Sequence, residues 1–297
     1  MSEGESAQGE ADGWYLASLS SLFVAAGSLW IMALNGKVAV VTGAAQGLGK
    51  GFVEILLQNG ANVALLDLNE KAGKDLEENL NKAYGADRAH FYTADVSSEQ
   101  QFKDAFQKVL TKFGRVDIFC NNAGIVNEKN WEKTVSINLC AVVRGTYLAL
   151  EHMKKENGGQ GGVIVNVASL AGLGPLPSAP IYTATKHGVV GFSRALSMAS
   201  QLANYGVRIN VLCPTFVRTA LIDTFHSEEL TGQFFNLKTV TESLLDKHPL
   251  VEVEDVAKGF LLLVKDESLN GAVLAVRSTG TGIVSFPTEI PKTPVSL

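Results

Sequence analysis

The sequence predicts an α/β protein with a Rossmann-like, doubly wound parallel sheet of about seven strands and helices on both faces. Three observations support this fold class. Apolar runs of four to six residues, typical of strands buried on both faces, alternate with segments of helical periodicity. The first run is followed at once by a glycine-rich turn and a helix. Polar residues follow several of the runs, at the strand ends where such sheets bind ligands.

Composition limits the classes of function. The chain has 297 residues, of which 46% are hydrophobic and 19% charged, so it can bury a sizeable core. The net charge is −5 without a basic cluster, which argues against a nucleic-acid partner. The three cysteines form no C-x-x-C pair, which favours buried thiols and a reducing compartment, and the five histidines lack metal-ligand spacing. We therefore expect no metal site.

The chain divides into an N-terminal extension (1–34), a single Rossmann-type domain (35–285) and a C-terminal tail (286–297). Within the extension, Trp14–Leu34 carries no charge and is long enough to span a bilayer. Three interpretations stay open for it: a dispensable or alternative N-terminus with a start at Met32, a membrane anchor or surface helix, and a locally packed helix. The first favours a cytoplasmic protein, and the second favours membrane association through residues 14–34.

Lys37–Thr42 is predicted to be the first buried strand, and a G-x-x-x-G-x-G turn follows it. Glycines let the backbone approach a pyrophosphate, and the N-terminus of the next helix offers free N–H groups and a partial positive charge. A turn without a ligand is the alternative. The predicted cofactor contacts are Gly43, Ala44, Ala45, Gln46, Gly47, Leu48 and Gly49.

Asn62–Leu66 is the second predicted strand, and Asp67 and Leu68 follow it. A carboxylate at this place accepts both ribose hydroxyls of an adenosine and repels a 2′-phosphate. Because no lysine or arginine is adjacent, the sequence favours NAD over NADP. The alternative is that Asp67 only caps the next helix.

The next predicted elements are helices over Glu70–Ala83 and Gln101–Phe113 and strands over His90–Thr93 and Val116–Cys120. Asp95 and Val96 follow the third strand, where a carboxylate can meet an adenine amino group; a solvated loop aspartate is the alternative. Asn122 follows the fourth strand, where small residues leave space for a cofactor ring. Asn138 falls inside the following helix, in which asparagine is a poor helix former.

Gly162–Val167 is predicted as the fifth strand, and Ser169 lies just beyond its end. A helix over Pro180–Ala203 then carries Tyr182 and Lys186, which share one face because they are four residues apart. A nearby ammonium favours the phenolate, so Lys186 is expected to lower the pKa of Tyr182 towards a value suited to proton abstraction from an alcohol. An ordinary amphipathic helix is the alternative.

Val207–Leu212 is the predicted sixth strand, and the segment that leaves it contains Phe216, Val217, Arg218 and Thr219. The stretch that continues to His248 is long for a connector and is expected to form a lid or a substrate pocket. A helix over Glu254–Val264 and a strand over Ala272–Val276 complete the domain.

These motifs together resemble the short-chain dehydrogenase/reductase family over about residues 35–280. The resemblance rests on Thr42-Gly43-x-x-x-Gly47-x-Gly49, Asp67, Asp95, Asn122-Ala123-Gly124, Asn138, Ser169, Tyr182-x-x-x-Lys186 and Pro214-x-x-Val217-x-Thr219, in that order. It implies an NAD-dependent enzyme with Tyr182 as acid/base, and with Lys186 both as the cation that lowers the pKa of Tyr182 and as a ligand of the nicotinamide ribose. Ser169 would orient the alcohol, and Asn138 would hold a proton-relaying water. Val217 and Thr219 would fix the nicotinamide carboxamide.

Residues 32–49, 121–134 and 169–173 are similar to NAD-dependent family members that oxidise the 15-hydroxyl of prostaglandins and other eicosanoids. This similarity implies a cytoplasmic homodimer with Ser169, Ala179, Tyr182 and Phe216 at the substrate, and Leu173, Leu176, Phe216 and Leu221 would suit a lipid chain. Three positions depart from the expected pattern: Ala179 replaces a glutamine, Thr215 a glycine and His248 a tyrosine. A dehydrogenase for a hydroxysteroid, retinoid or hydroxy fatty acid and a non-catalytic NAD-binding regulator are the alternatives.

Overall fold

A computed structural model describes residues 34–286 of the chain. The predictions for the N-terminal extension before Leu34 and for the C-terminal tail after Phe286 lie outside the described residues. Within the described part, no helix combines the length and the apolar composition needed to cross a bilayer.

Eight strands form one sheet in the described chain, in the order β3-β2-β1-β4-β5-β6-β7-β8. The first seven are parallel, and β8 pairs antiparallel with β7. The strand order reverses between β1 and β4, which creates the crevice where doubly wound sheets bind ligands. The strands are β1 Val38–Thr42, β2 Asn62–Asp67, β3 Ala89–Thr93, β4 Ile118–Asn121, β5 Gly162–Val167, β6 Val207–Pro214, β7 Val273–Arg277 and β8 Gly280–Ile283.

Helices connect the strands and cover both faces of the sheet. They are α1 Gly47–Gln58, α2 Glu70–Tyr84, α3 Glu99–Phe113, α4 Trp131–Val135, α5 Ala141–Met153, α6 Pro180–Leu202, α7 Glu228–Thr231, α8 Lys238–Lys247 and α9 Val253–Lys265. A π-helical segment, Ser136–Cys140, joins α4 to α5, and 3-10 turns lie at Lys155–Asn157, Leu170–Gly172, Ile222–His226 and Gly232–Leu237.

Alternation along the strands divides the core into two layers. Ala39 and Val41 face α1, α2 and α9, whereas Val40 faces α3 and α5. In the first layer the rings of Phe52 and Phe260 stack with centroids 4.5 Å apart, which joins α1 to α9. Strands buried on both faces explain the continuous apolar runs.

The structure confirms the predicted fold class and all seven predicted strands. It adds β8, which the sequence interpretation did not include, because a four-residue edge strand with two glycines has no distinctive pattern. One expectation about the cysteines is wrong. Cys120 and Cys213 are buried, but Cys140 is exposed, since it lies on the outer side of the π-helical segment.

Candidate active site

The glycine turn packs directly against the loop that follows β4. Gly43 and Gly47 have φ of +62° and +53°, a region that favours glycine. A Cβ atom at Gly43 would lie 2.9 Å from Ala123 Cα. The Asn122 amide donates to the Thr42 and Gly43 carbonyls at 3.0 and 3.1 Å. Since no side chain caps α1, its first N–H groups stay available to an anion.

Two carboxylates lie at the ends of β2 and β3. Asp67 accepts N–H bonds from Ala45 and Asn69, one on each oxygen and both at 2.9 Å. A carboxylate has about four acceptor positions, so Asp67 keeps acceptors for two hydroxyl groups. Asp95 accepts from the N–H and the hydroxyl of Ser97 on one oxygen, at 2.8 and 2.6 Å. These contacts orient both carboxylates at the carboxyl edge of the sheet.

Ser169, Tyr182 and Lys186 converge beyond the end of β5. The Ser169 hydroxyl lies close enough to the Tyr182 phenol to influence its pKa, and it donates to the Pro214 carbonyl at 3.5 Å. The Lys186 ammonium donates to the Val167 carbonyl at 2.9 Å and lies 5.5 Å from the centroid of the Tyr182 ring. Tyr182 and Lys186 are only 7% and 3% exposed. The serine, phenol and ammonium therefore form one buried cluster, as the sequence predicted.

The protonation of this cluster differs from the expectation. Burial raises the pKa of Tyr182 to about 12, although the neighbouring Ser169 hydroxyl opposes the shift. Burial also lowers the pKa of Lys186 to about 8. The tyrosine pKa is therefore not lowered by Lys186 in the protein without cofactor, contrary to the expectation from the sequence. Removal of the phenolate from water has the larger effect on this pKa.

Asn138 lies behind the cluster, in the π-helical segment. Its amide binds both backbone groups of Ile125, accepting from N–H at 2.9 Å and donating to C=O at 2.8 Å. A Cβ atom at Gly124 would lie 3.4 Å from the Asn138 oxygen and 3.6 Å from the Lys186 nitrogen. Asn138 is thus adjacent to Lys186 but fully buried. π turns occur frequently at functional sites, which agrees with an asparagine in an unfavourable helical position.

A cavity of about 980 Å³ extends from the glycine turn to the serine, phenol and ammonium cluster. Most of the predicted site residues line it: Gly43, Gln46, Gly47, Leu48, Asp67, Leu68, Asp95, Val96, Asn122, Ser169, Tyr182, Lys186, Phe216, Val217, Arg218 and Thr219. The remaining predicted residues are absent from the lining: Ala44, Ala45, Gly49, Asn138 and Ala179.

The residues outside the lining have other surroundings. A Cβ atom at Gly49 would lie 2.0 Å from the Gly43 carbonyl oxygen, so this glycine allows α1 to approach the turn. Ala179 is fully buried and packs in an apolar cluster with Tyr182 and Phe225. Leu173 packs in a separate cluster with α6 residues such as Val189.

The segment from Leu221 to His248 covers one end of the cavity, and we call it the lid. Its contributions to the lining are Leu221, Ile222, Thr224, Phe225, Leu230, Leu244 and His248. This confirms that the long connector forms a pocket wall. Leu176 and Phe216 also line the cavity, and Thr215 and His248, which depart from the expected pattern, do so as well. The cavity beside the cluster is therefore largely apolar.

One acidic residue near the site is absent from the sequence interpretation. Glu128 is 7% exposed, and its carboxylate accepts the Ile181 and Tyr182 N–H groups, both at 2.9 Å. In the sequence it stands among polar and charged residues, N-E-K-N, which resemble a solvated loop. No local signal indicates its burial.

A doubly wound sheet with these groups at its carboxyl edge defines the class of dinucleotide-dependent oxidoreductases. A family model described as short chain dehydrogenase matches residues 37–230. The chain belongs to the short-chain dehydrogenase family, and it is an NAD-dependent oxidoreductase.

Curated relatives and solved structures agree with this assignment. Human 15-hydroxyprostaglandin dehydrogenase [NAD(+)] is 46% identical over 85% of this chain and 94% of its own length. The 3-oxoacyl-[acyl-carrier-protein] reductase of Thermotoga maritima is 31% identical over 82% of this chain and 98% of its own. The structure of 3-ketoacyl-(acyl-carrier-protein) reductase from Brucella melitensis complexed with NADH has a TM-score of 0.70 at 30% identity, over 82% of this chain and 98% of that one.

The residues present fit NAD. The first turn of α1 has N–H groups free for a pyrophosphate, and the close approach of Gly43 to Ala123 leaves the backbone of the turn exposed to the cavity. Asp67 keeps acceptors for ribose hydroxyls. The cationic residues in the lining are Lys133, Lys186 and Arg218, and none of them follows β2, where a 2′-phosphate would need a partner.

Proposed function

We propose that this protein oxidises a secondary alcohol on an apolar lipid, and specifically the 15-hydroxyl of prostaglandins and related eicosanoids to the 15-keto product. One observation carries the proposal: the Ser169, Tyr182 and Lys186 cluster faces a cavity whose other wall is apolar and formed largely by the lid. The names of the 15-hydroxyprostaglandin dehydrogenases that are 44–46% identical to the chain support the substrate.

The chain's own residues have distinct roles in the proposed reaction. Ser169 donates a hydrogen bond to the substrate oxygen and orients the alcohol. Tyr182 removes the hydroxyl proton, and Lys186 holds the ribose of the cofactor and stabilises the phenolate. Asn138 positions the loop at Ile125 and a relay water. The bound nicotinamide supplies a positively charged hydride acceptor, and positive charge favours ionisation of a phenol whose pKa burial has raised.

The parts of the cofactor are likewise assigned to separate groups of residues. The glycine turn, from Gly43 to Gly49, binds the pyrophosphate, and Asp67 with Leu68 binds the adenosine ribose. Asp95 and Val96 bind the adenine, and Asn122 lies along the cofactor. Val217, Arg218 and Thr219 hold the carboxamide end. Arg218 is itself oriented by an ion pair with Glu252 at 2.9 Å.

A panel of alcohols tests the substrate. Purified protein with NAD is mixed with a 15-hydroxy prostaglandin, a hydroxysteroid, retinol and a hydroxy fatty acid, and NADH absorbance is followed. We expect the prostaglandin to give the highest kcat/KM. Turnover of another alcohol alone would reject the prostaglandin and retain the dehydrogenase.

A different lipid alcohol is the second candidate. Thr215 and His248 line the cavity and depart from the pattern expected of prostaglandin enzymes, and the position of the expected glutamine is the buried Ala179. Without that glutamine the substrate hydroxyl loses one hydrogen-bond partner, which is worth about 0.5–1.5 kcal/mol. Hydroxysteroid, retinoid and hydroxy fatty acid dehydrogenases share the same catalytic groups.

We also propose a cytoplasmic homodimer. The outer faces of α5 and α6 expose Tyr147, Met198 and Leu202 at 52%, 64% and 81%. Tyr147 contacts Phe192 edge-to-face across these two helices, with ring centroids 5.7 Å apart. Apolar groups on adjacent helices support self-association. Light scattering after size exclusion measures the mass, and a monomer would reject the dimer.

A further inference from the structure

The first turn of α6 is held by a residue from a distant part of the chain. The residue that precedes this helix, Ala179, has no side chain able to cap it, so the first N–H groups lack a local partner. Glu128, more than fifty residues earlier, fills this role with both carboxylate oxygens, at 2.9 Å from the nitrogens of Ile181 and Tyr182. The bonds are charge-assisted, and a carboxylate is favoured at a helix N-terminus.

This cap acts directly on the catalytic residue. Tyr182 is the third residue of α6, and Glu128 binds its own backbone N–H. Two simultaneous bonds restrict rotation of the first turn, so they set the direction in which the phenol leaves the helix. Glu128 does not line the cavity, and it therefore acts through Tyr182 without touching substrate or cofactor.

The same residue is bonded to the lid. The Glu128 N–H donates to the Leu230 carbonyl at 2.7 Å, and Leu230 lines the cavity. A second buried contact joins the same two regions, because the hydroxyls of Ser178 and Thr241 lie 2.6 Å apart. The lid is thus connected to the start of α6 by two polar links, and one of them continues through the Glu128 carboxylate to Tyr182.

We propose that Glu128 is a positioning residue for the reaction, which couples the lid over the substrate cavity to the orientation of the Tyr182 phenol. The proposal rests on the proposed dehydrogenase function, but not on the identity of the alcohol. A carboxylate that only stabilised the helix would affect folding and leave the rate of the folded enzyme unchanged.

Glu128→Gln tests the coupling with little change in shape. A glutamine amide has one acceptor oxygen, so one of the two N–H groups loses its partner. We expect kcat to fall by about tenfold at saturating substrate, with the Kd for NADH within twofold of wild type. Asn130→Ala is the matched control, because Asn130 caps α4 from the same loop, at 3.2 Å from the Lys133 nitrogen, and does not line the cavity. This control should keep the wild-type kcat.

Hydrogen exchange supplies a readout that needs no substrate. In Glu128→Gln we expect faster exchange both in residues 180–186 and in the lid, whereas Asn130→Ala should change neither. A wild-type kcat together with unchanged exchange in the lid would overturn the proposal. If Glu128→Gln does not fold, Glu128→Asp replaces it in the test. This variant keeps the negative charge on a shorter side chain, and kcat and hydrogen exchange are measured in the same way. If the wild-type protein does not oxidise prostaglandin but hydrogen exchange is altered in Glu128→Gln, only the proposed substrate is rejected and the coupling is retained.

Discussion

The Lys186 ammonium lies 5.5 Å from the centroid of the Tyr182 ring, while it donates to the Val167 carbonyl at 2.9 Å. A backbone group of β5 therefore fixes the cation beside the phenol. An ammonium at this distance favours a phenolate, but burial has the largest influence on the phenol and raises its pKa to about 12 in the protein alone. The consequences of this arrangement can be measured.

Tyr182→Phe should reduce kcat by roughly 10²–10⁴-fold, because phenylalanine keeps the ring and cannot accept the alcohol proton. The Kd for NADH, measured by fluorescence, should stay within a few-fold of wild type. Tyr205→Phe is the control, since Tyr205 does not line the cavity. Turnover by Tyr182→Phe at the wild-type rate would exclude Tyr182 as the base.

Lys186→Met should change how stability depends on pH in the absence of cofactor. Folding lowers the pKa of Lys186 from 10.5 to about 8, so the unfolded chain binds more protons between these values. The wild-type free energy of unfolding should therefore gain up to roughly 3 kcal/mol from this group as pH rises from 8 to 10.5. Denaturant titrations at several pH values measure it. If the free energy of unfolding depends on pH in the same way in wild type and Lys186→Met, the pKa of Lys186 is not lowered in the folded protein.

Asp67→Ala should weaken NAD binding by about tenfold and reduce the preference for NAD over NADP, because the acceptors for the ribose hydroxyls and the repulsion of a 2′-phosphate are both lost. Asp75→Ala removes the same charge from an exposed position on α2. Kd values for NADH and NADPH by fluorescence compare the two variants. If the ratio of the two Kd values is unchanged in Asp67→Ala, the Asp67 carboxylate does not select between the cofactors.

Gly43→Ala should destabilise the protein more than Gly158→Ala. Both glycines have positive φ, +62° and +82°, so either alanine costs about 1–2 kcal/mol in backbone strain. Only at Gly43 does the new Cβ also meet backbone, at 2.9 Å from Ala123 Cα, whereas nothing lies within 4 Å at Gly158. Chemical denaturation measures the difference. Equal losses would indicate that the turn can move away from the loop after β4.

The sequence predicts most of the fold because the strands carry their own signal. The fifth strand, Gly162–Val167, is observed with the predicted bounds, and the residues that follow strands meet at one edge of the sheet. The fourth begins two residues later than predicted, at Ile118, although the Asp117 backbone already bonds to Val38 and Val163 on the two neighbouring strands. β8 depends on pairing with β7 and has no apolar run of its own.

The parts of the site that escape prediction depend on contacts distant in sequence. Glu128 binds N–H groups 53 and 54 residues later, so its burial follows from the tertiary fold alone. The pKa of Tyr182 is likewise raised by burial in the folded protein, which the four-residue spacing to Lys186 does not report. The resemblance implies that Ala179 contacts the substrate, but Ala179 is buried in the apolar cluster that includes Tyr182 and does not line the cavity.

The π-helical segment at Ser136–Cys140 has a consequence for the tolerance of this chain to deletions. Each residue advances an α-helix by about 100°, and a π turn accommodates one residue more than an α turn. The segment thus sets the angular phase between α4 and α5. Loss of a single residue there would turn the inward face of α5, with Gly145 and Ala149, towards solvent and carry Tyr147 towards the sheet.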